Sequence, residues 1–252
     1  MTRPLVFVDL DDTLFQTRQK CPDGEAPHLT RATTARNDNH SFMTRPQKAF
    51  VEWLLRGADV VPVTARGSEA FKAVHLPFRC GAVLANGGVL LTPNGAPDPE
   101  WRAEIARDLA SMTSGLQDLL ERGRDAARAL GLDVRSWLVV ENELPIYAVF
   151  KDNADPFGAG LAGLENVLRA EPGWTVHRNA NNLAFIPGVV SKARAVAHLI
   201  ARARRDAPGR PILGFGDSDT DFAFLSLCDL WGAPPNSQIA KTLGKSLNLA
   251  PK

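Results

Sequence analysis

The 252-residue chain has little of several things that would settle its class at once. No apolar stretch is long enough to cross a bilayer; the longest charge-free run, near Ala82 to Pro93, carries an Asn-Gly-Gly turn inside it. A membrane helix is therefore excluded. Cysteine is scarce: Cys21, Cys80 and Cys228 are far apart and never form C-x-x-C, so neither a disulfide framework nor a zinc site is supported. No sign of charge dominates either. Lys and Arg number 29 against 28 Asp and Glu, a formal charge of +1, which removes the electrostatic case for a nucleic-acid or membrane-surface partner. The N-terminal residues reach an acidic cluster within nine positions and have no apolar signal core or small-residue cleavage site, so a cytoplasmic protein is expected. Repeats of solenoid length and low-complexity tracts are also missing.

What is present is an ordinary globular composition, 44% hydrophobic and 23% charged, with enough length for one large domain or a core and a smaller one. Leu5 to Leu10 is a short continuous apolar run broken by Asp-Asp-Thr, the pattern of a buried parallel strand that ends in a polar loop. Phe15 to Met43 is polar and poorly periodic, though the segments flanking Arg36 to His40 can pair as a hairpin. Thr44 and Gln47 make a capping box ahead of a helix with Phe50, Val51, Leu54 and Leu55 on one face. Val60 to Val63 is a second buried run ending in Thr64-Ala65-Arg66, after which Ser68 is placed to cap a short helix.

From Ala82 the chain reads as strand, Asn-Gly-Gly turn and strand, and then its character changes. Trp101 to Leu120 has helical spacing, in one helix or two, with weak points at Gly115 and Gly123. Two strands, a helix and two more strands follow up to Ile186, a helix-strand-strand module used twice. Ser191 to Arg205 is an amphipathic helix, Pro211 to Phe215 a third buried strand, and two short helices close the chain. The fold expected is α/β: a doubly wound, Rossmann-like parallel sheet of residues 1–87 and 186–252, interrupted by an α+β insertion at 88–185.

Open parallel sheets bind ligands beyond the carboxyl ends of their strands. All three core strands end there in polar residues: Asp9 to Thr13, Thr64 to Arg66, and Gly214 to Asp221, with Lys192 opening the helix before the third. Any one strand-end Asp is as often a helix cap as a functional group, but the set is harder to dismiss. A phosphate monoester resists attack because its oxygens are anionic, so its hydrolysis needs a nucleophile, charge neutralisation and a proton donor. Converging carboxylates invite a hard cation with oxygen ligands, for which Mg²⁺ fits best. Lys192 adds positive charge and Thr64 a hydroxyl donor.

VFVDLDDTLF, VVPVTAR, SKARAV and GDSDTD resemble, in order, the four motifs of the haloacid dehalogenase superfamily of aspartate-nucleophile phosphatases. The resemblance spans the whole core. It implies that Asp9 is the nucleophile and Asp11 the general acid and then base. Thr64, with Ala65 beside it, and Lys192 would bind the transferring phosphoryl group. Mg²⁺ would lie between Asp9, the Asp11 backbone carbonyl and Asp217, while Thr13 and Asp221 support these groups, Asp221 by orienting Lys192 or a metal-bound water. ANGG, IPGVVSK and the placement of the insertion resemble the Cof-like and sucrose-phosphate phosphatase branch, which implies that residues 88–185 form an open-faced α+β cap. Two departures stand out: Asp12 occupies a position where the family usually has Gly, and Thr220 one where the branch usually has Asn.

The reaction so implied is Mg²⁺-dependent hydrolysis of a small phosphorylated metabolite, a sugar or sugar acid. A phosphomutase on the same fold is the alternative, separated by release of phosphate without a bisphosphate activator. A phosphate-binding module without turnover is a third reading, opposed by the joint presence of Asp9, Asp11, Lys192 and Asp217. Discrimination among polyols needs polar groups that the wrong partner leaves unpaired. Arg178, Asn179 and Asn182, in a turn between two strands of the insertion, are the candidates. Gly214-Phe215-Gly216 lacks the third glycine of a dinucleotide fingerprint, and Gly244-Lys245-Ser246 lacks the glycine and strand of a P-loop.

Overall fold

The computed structural model describes residues 2–35, 38–170, 172–179 and 181–247. The chain divides into two compact units, Met1–Asp98 with Ser191–Lys252, and Pro99–Val190. The second unit begins and ends later in the chain than the 88–185 read from the sequence, because the strand after Asn-Gly-Gly pairs back into the first unit.

The first unit begins with β1 (Leu5–Val8), followed by β2 (Gln16–Thr17), β3 (Thr30–Arg31) and β4 (Ser41–Met43). β2 and β3 both pair antiparallel with β4, so the polar segment after Phe15 is a small three-stranded sheet that includes the expected hairpin. Arg36 and Asn37 of that hairpin lie outside the described residues. α1 (Arg45–Gly57) starts at Thr44 with the full capping box: the Thr44 side chain accepts from the Gln47 N–H, and the Gln47 side chain accepts from the Thr44 N–H. β5 (Asp59–Pro62), α2 (Ser68–Lys72), β6 (Ala82–Leu84) and β7 (Val89–Leu91) follow. Gly67, not Ser68, is the N-cap of α2, and no side chain caps it.

The second unit contains α3 (Pro99–Leu109), α4 (Thr113–Ala129), β8 (Val134–Glu141), β9 (Leu144–Asp152), α5 (Leu161–Leu168), β10 (Thr175–Asn179) and β11 (Asn182–Ile186). The helical stretch breaks between Leu109 and Thr113 rather than at a glycine. Gly123 is a point of close approach: a Cβ there would stand 2.2 Å from the Phe150 ring, which is fully buried on β9. The four strands form one antiparallel sheet in the order β10-β11-β9-β8, with α4 and α5 packed on one face through Leu116, Leu120, Leu161 and Leu164. Helix-strand-strand is indeed used twice, and both copies share one sheet.

The chain re-enters the first unit with α6 (Lys192–Asp206), β12 (Ile212–Phe215), α7 (Phe222–Leu225), β13 (Leu230–Gly232) and α8 (Gln238–Ser246). The core sheet is parallel throughout, in the order β13-β12-β1-β5, with Val6 opposite both Leu213 and Val60. Val6, Val8 and Val60 pack with Val51 and Leu54 of α1, while Leu5 and Val61 line a cavity together with Leu199 and Ala203 of α6. Burial on both faces explains why β1 and β5 are near-continuous apolar runs rather than alternating ones. The basic end of α6 is engaged in ion pairs, Arg202 with Asp98 and Arg204 with Asp229, each at 2.6 Å. No helix among the described residues is long and apolar enough to cross a membrane.

Candidate active site

The site is built where the core strands stop. Asp9 follows β1 directly and its N–H donates to the Phe215 carbonyl at 2.9 Å, which extends the β1–β12 ladder by one step and fixes Asp9 at the carboxyl end of the sheet. Its carboxylate is buried and accepts a hydrogen bond from Lys192 Nζ at 2.7 Å on Oδ1. Thr13 Oγ1 donates to Oδ2 at 3.5 Å. Lys192 donates equally, at 2.7 Å, to Asp221 Oδ1. Two turns converge to put it there. Ser191 caps α6 by accepting from the Arg194 N–H, and Gly87, at φ +97°, brings the turn after β6 against the Ser191 carbonyl, where a Cβ would stand 2.2 Å from the oxygen. The Asn-Gly-Gly turn is thus a support for the start of α6.

Asp221 has no exposed surface. Its second oxygen accepts from the Ser218 N–H and hydroxyl at 3.1 and 2.8 Å and from the Asp217 N–H at 3.3 Å. Both oxygens are therefore engaged, one with Lys192 and one with the loop that carries Asp217. Asp9, Asp217 and Asp221 each place a carboxylate oxygen within 4.8 Å of the others. Burial drives Asp9 well above the usual carboxylate range, with Lys192 opposing it and Asp221 reinforcing it. Burial, with Asp221 and Asp12, pushes Asp217 up to about 7. For Lys192, burial acts downward but the carboxylates of Asp9 and Asp221 outweigh it, so the ammonium is held above its ordinary value. Three carboxylates against one ammonium is an excess of negative charge in a confined place, with all-oxygen donors. That donor set fits a hard divalent cation, and since Asp221 already accepts four hydrogen bonds against two for Asp9, Asp9 and Asp217 have more acceptor capacity left to give.

Asp12 adopts φ +61°, the left-handed region that explains why glycine would suit this position; a short acidic side chain tolerates it. Its added negative charge is met by Lys20. Thr220 lies in the loop between β12 and α7 and shares a hydroxyl hydrogen bond of 2.8 Å with Ser218.

At the end of β5, Thr64 is buried, its N–H bonded to the Val83 carbonyl at 2.9 Å and its Oγ1 accepting from the Arg66 N–H at 3.1 Å. Ala65 lies exposed in the same turn. Arg66, to which sequence reasoning gave no role, forms a fork onto Asp11: Nε to Oδ2 at 2.7 Å and Nη2 to Oδ1 at 2.6 Å. Its guanidinium also lies over the buried Phe15 ring, 5.3 Å from the centroid. The Asp11 carboxylate thus faces Arg66 and is not one of the three clustered carboxylates. The only signal in the sequence was an arginine two residues after Thr64.

The candidate substrate residues belong to the second unit, and its register separates them. Arg178 pairs with Leu183 and forms an ion pair of 3.8 Å with Glu165 of α5, so it lies on the helix-covered face. Asn182, by alternation, lies on the other face, where its amide donates to Asn181 Oδ1 at 3.2 Å. The Asn179 side chain lies outside what the structure describes. The two-residue period of a strand thus puts Arg178 on the face opposite Asn182, whereas Asn179 pairs directly with Asn182.

A parallel core sheet interrupted by an α+β insertion is a fold that this chain shares with several solved structures. A protein of Thermoplasma acidophilum covers 96% of this chain and 90% of its own, with a TM-score of 0.58 and 15% identity. The C-terminal domain of trehalose-6-phosphate phosphatase from C. albicans covers 100% and 79%, with a TM-score of 0.57 and 15% identity. The sucrose-phosphatase of Synechocystis, solved with sucrose and phosphate, covers 98% of each chain, with a TM-score of 0.51 and 14% identity. No protein-family model and no curated protein sequence matches the chain.

Proposed function

We propose that the protein is a cytosolic, Mg²⁺-dependent phosphomonoesterase that acts on a small phosphorylated sugar or sugar acid through an aspartyl-phosphate intermediate. The observation that carries this reading is the Lys192 bridge between Asp9 and Asp221, with Asp217 alongside. An ammonium beside a carboxylate nucleophile cancels the repulsion that otherwise keeps a phosphoryl group away. Two phosphatases with this fold carry sugar phosphates in their names, which supports the substrate class.

An Asp9 oxygen attacks phosphorus and the bond to the ester oxygen breaks; that oxygen leaves with a proton from Asp11. Lys192 and the Thr64 hydroxyl hold the phosphoryl oxygens as charge moves onto them. Water, giving its proton to Asp11, then displaces Asp9 and releases inorganic phosphate. Asp9, Asp217 and the Asp11 backbone carbonyl would hold Mg²⁺, which when bound supplies charge neutralisation for the phosphoryl oxygens. The Arg66 fork holds the Asp11 carboxylate in place beside Asp9's end of the sheet and leaves each oxygen a free lone pair. The second unit acts as the cap that selects the leaving group, while the first handles the phosphoryl group.

The test is a phosphate-release screen over sugar phosphates, nucleotides and phosphorylated cofactors with Mg²⁺ and without a bisphosphate activator. Release that disappears in Asp9→Asn is the expected result. Transfer only in the presence of a bisphosphate would make the protein a mutase, and binding without turnover a regulatory module.

A further inference from the structure

Arg66 spends only part of its guanidinium on Asp11. Of the five N–H donors of an arginine, Nε and one on Nη2 form the fork, at 2.7 and 2.6 Å, while the two on Nη1 and the second on Nη2 have no acceptor among the described residues. Those donors make a second edge in the same plane. The plane is held from below, because Cζ lies over the buried Phe15 ring, 5.3 Å from its centroid, and Phe15 belongs to the turn of Asp11 itself, its carbonyl accepting from the Asp12 N–H at 2.7 Å. The Arg66 backbone is held on both sides. Its N–H donates to Thr64 Oγ1 at 3.1 Å and its carbonyl accepts from the Ala85 N–H at 2.8 Å. The second edge is therefore set by the fold, and the Arg66 side chain keeps 21% of its surface open, against 49% for Asp11.

We propose that this second edge binds a neutral oxygen on the carbon next to the ester carbon, so that the substrate is a polyol phosphate with a hydroxyl or ring oxygen vicinal to its phosphate. The inference rests on the phosphatase reading, with Asp11 as proton donor, and lies wholly within the first unit. The leaving oxygen takes its proton from Asp11, which puts it one hydrogen bond from a carboxylate that Arg66 already holds. A vicinal oxygen in gauche geometry stands a further hydrogen-bond length away, within reach of the next N–H along the guanidinium. Charge decides that this oxygen is neutral. The guanidinium is already matched by Asp11, the charge of Asp9 also reaches it, and Asp9, Asp217 and Asp221 outnumber Lys192, so a carboxylate on the same carbon would add to a negative excess. Two residues of one turn thus divide the substrate: Thr64, whose oxygen accepts from the Arg66 N–H and whose proton is left to donate, takes the phosphoryl oxygen, and Arg66 the leaving side.

The test is kcat/KM with Mg²⁺ for propane-1,2-diol 1-phosphate against propyl phosphate and propane-1,3-diol 1-phosphate, and for glycerol 2-phosphate against 2-phosphoglycerate, with p-nitrophenyl phosphate alongside. The wild-type protein is expected to favour the vicinal hydroxyl by about 10- to 100-fold, the range of a hydrogen bond to a charged group, and to favour the neutral glycerol ester over its acid. Arg66→Lys keeps a cation for Asp11 but has no second edge, so it should lower kcat/KM for the 1,2-diol ester far more than for propyl phosphate, mainly through KM. Arg66→Gln removes the fork as well and should also lower kcat, more for the alkyl esters than for p-nitrophenyl phosphate. Thermal unfolding of each variant separates lost recognition from lost folding, and the wild-type series stands even if neither variant folds. A residue that only braced Asp11 would leave the ratio unchanged in Arg66→Lys, and that result overturns the proposal. Equal wild-type values for the propyl, 1,2-diol and 1,3-diol esters, or a preference for 2-phosphoglycerate, overturn it too. Failure of the wild type to hydrolyse even p-nitrophenyl phosphate with Mg²⁺ defeats the phosphatase reading itself, and this one with it.

Discussion

The two units use polar side chains in opposite ways. In the first, Asp9, Thr64, Lys192 and Asp221 are buried or nearly so, Lys192 bridging the two carboxylates and Thr64 bonded to Val83 and Arg66, so their positions are set before any ligand arrives. In the second, Arg135, Lys151 and Asn182 stand in a row on one sheet face, and neither cation has an acidic partner among the described residues. Preorganised groups cost no rearrangement during reaction. Cations without a counter-charge are held by water and, for Arg135, by the Trp137 ring, and so are free to move.

The largest effect should come from the buried set. Asp9→Asn keeps the volume but removes the nucleophile and is expected to lower kcat by at least roughly 10³-fold, since losing one member of a catalytic unit can cost about 10⁶. An unchanged far-ultraviolet dichroism spectrum would confirm that the fold survives; activity near wild type would break the comparison. Asp11→Asn should cost roughly 10²- to 10⁴-fold, and more for an alkyl phosphate than for p-nitrophenyl phosphate, whose leaving group needs no proton. Equal losses on both would remove Asp11 from the acid role.

The same burial gives a pH signature. Asp217 is raised from an ordinary value near 3.8 to about 7, so between those limits the folded protein keeps a proton that the unfolded chain has released. Stability of the metal-free protein should therefore fall as pH rises through that window. Its Tm is expected to be higher at pH 5 than at pH 8, and Mg²⁺ should raise it most at pH 8, where the carboxylates are ionised. Asp217→Asn should flatten the pH dependence and weaken the response to Mg²⁺. A Tm that rises between pH 5 and 8 without metal would contradict this electrostatic account.

In the second unit the comparable vulnerability is packing. Gly123→Val would drive a side chain into the Phe150 ring and is expected to cost about 1–3 kcal/mol, lowering Tm by about 2–4 °C for each kcal/mol. An unchanged Tm would mean that α4 can lift away from β9 at little cost.

The strands, the major helices and the gathering of Asp9, Thr64, Lys192 and Asp217 at one sheet end were legible because they rest on local pattern and on the rule for parallel sheets. What escaped depends on pairings distant in sequence. The Arg66 fork joins residues 55 positions apart, and nothing near Arg66 announces Asp11 as its partner. β13 is a three-residue edge strand with two exposed side chains, so it has neither the length nor the burial to mark it. Gly123 looked like a weak point in a helix because the sequence does not show Phe150 pressed against it. The break before Thr113 carries no glycine or proline at all. Arg178 and Asn182 looked alike as polar turn residues, and only the register placed them on different faces.

That last distinction gives the smallest expected effect. Arg178 is paired with Glu165 on the helix-covered face at 3.8 Å, and both side chains are more than a third exposed. Exposed ion pairs contribute about 0–1 kcal/mol, so Arg178→Ala should shift Tm by no more than a few degrees. Asn182 lies on the other face of the sheet, where its amide donates to Asn181 at 3.2 Å, so Asn182→Ala removes a neutral hydrogen bond worth about 0.5–1.5 kcal/mol. Thermal unfolding of the two variants is the measurement. If Arg178→Ala lowered Tm clearly more than Asn182→Ala did, the Glu165 pair would count for more than its exposure allows, and the contrast between an engaged set in the first unit and loosely held polar groups in the second would have to be redrawn.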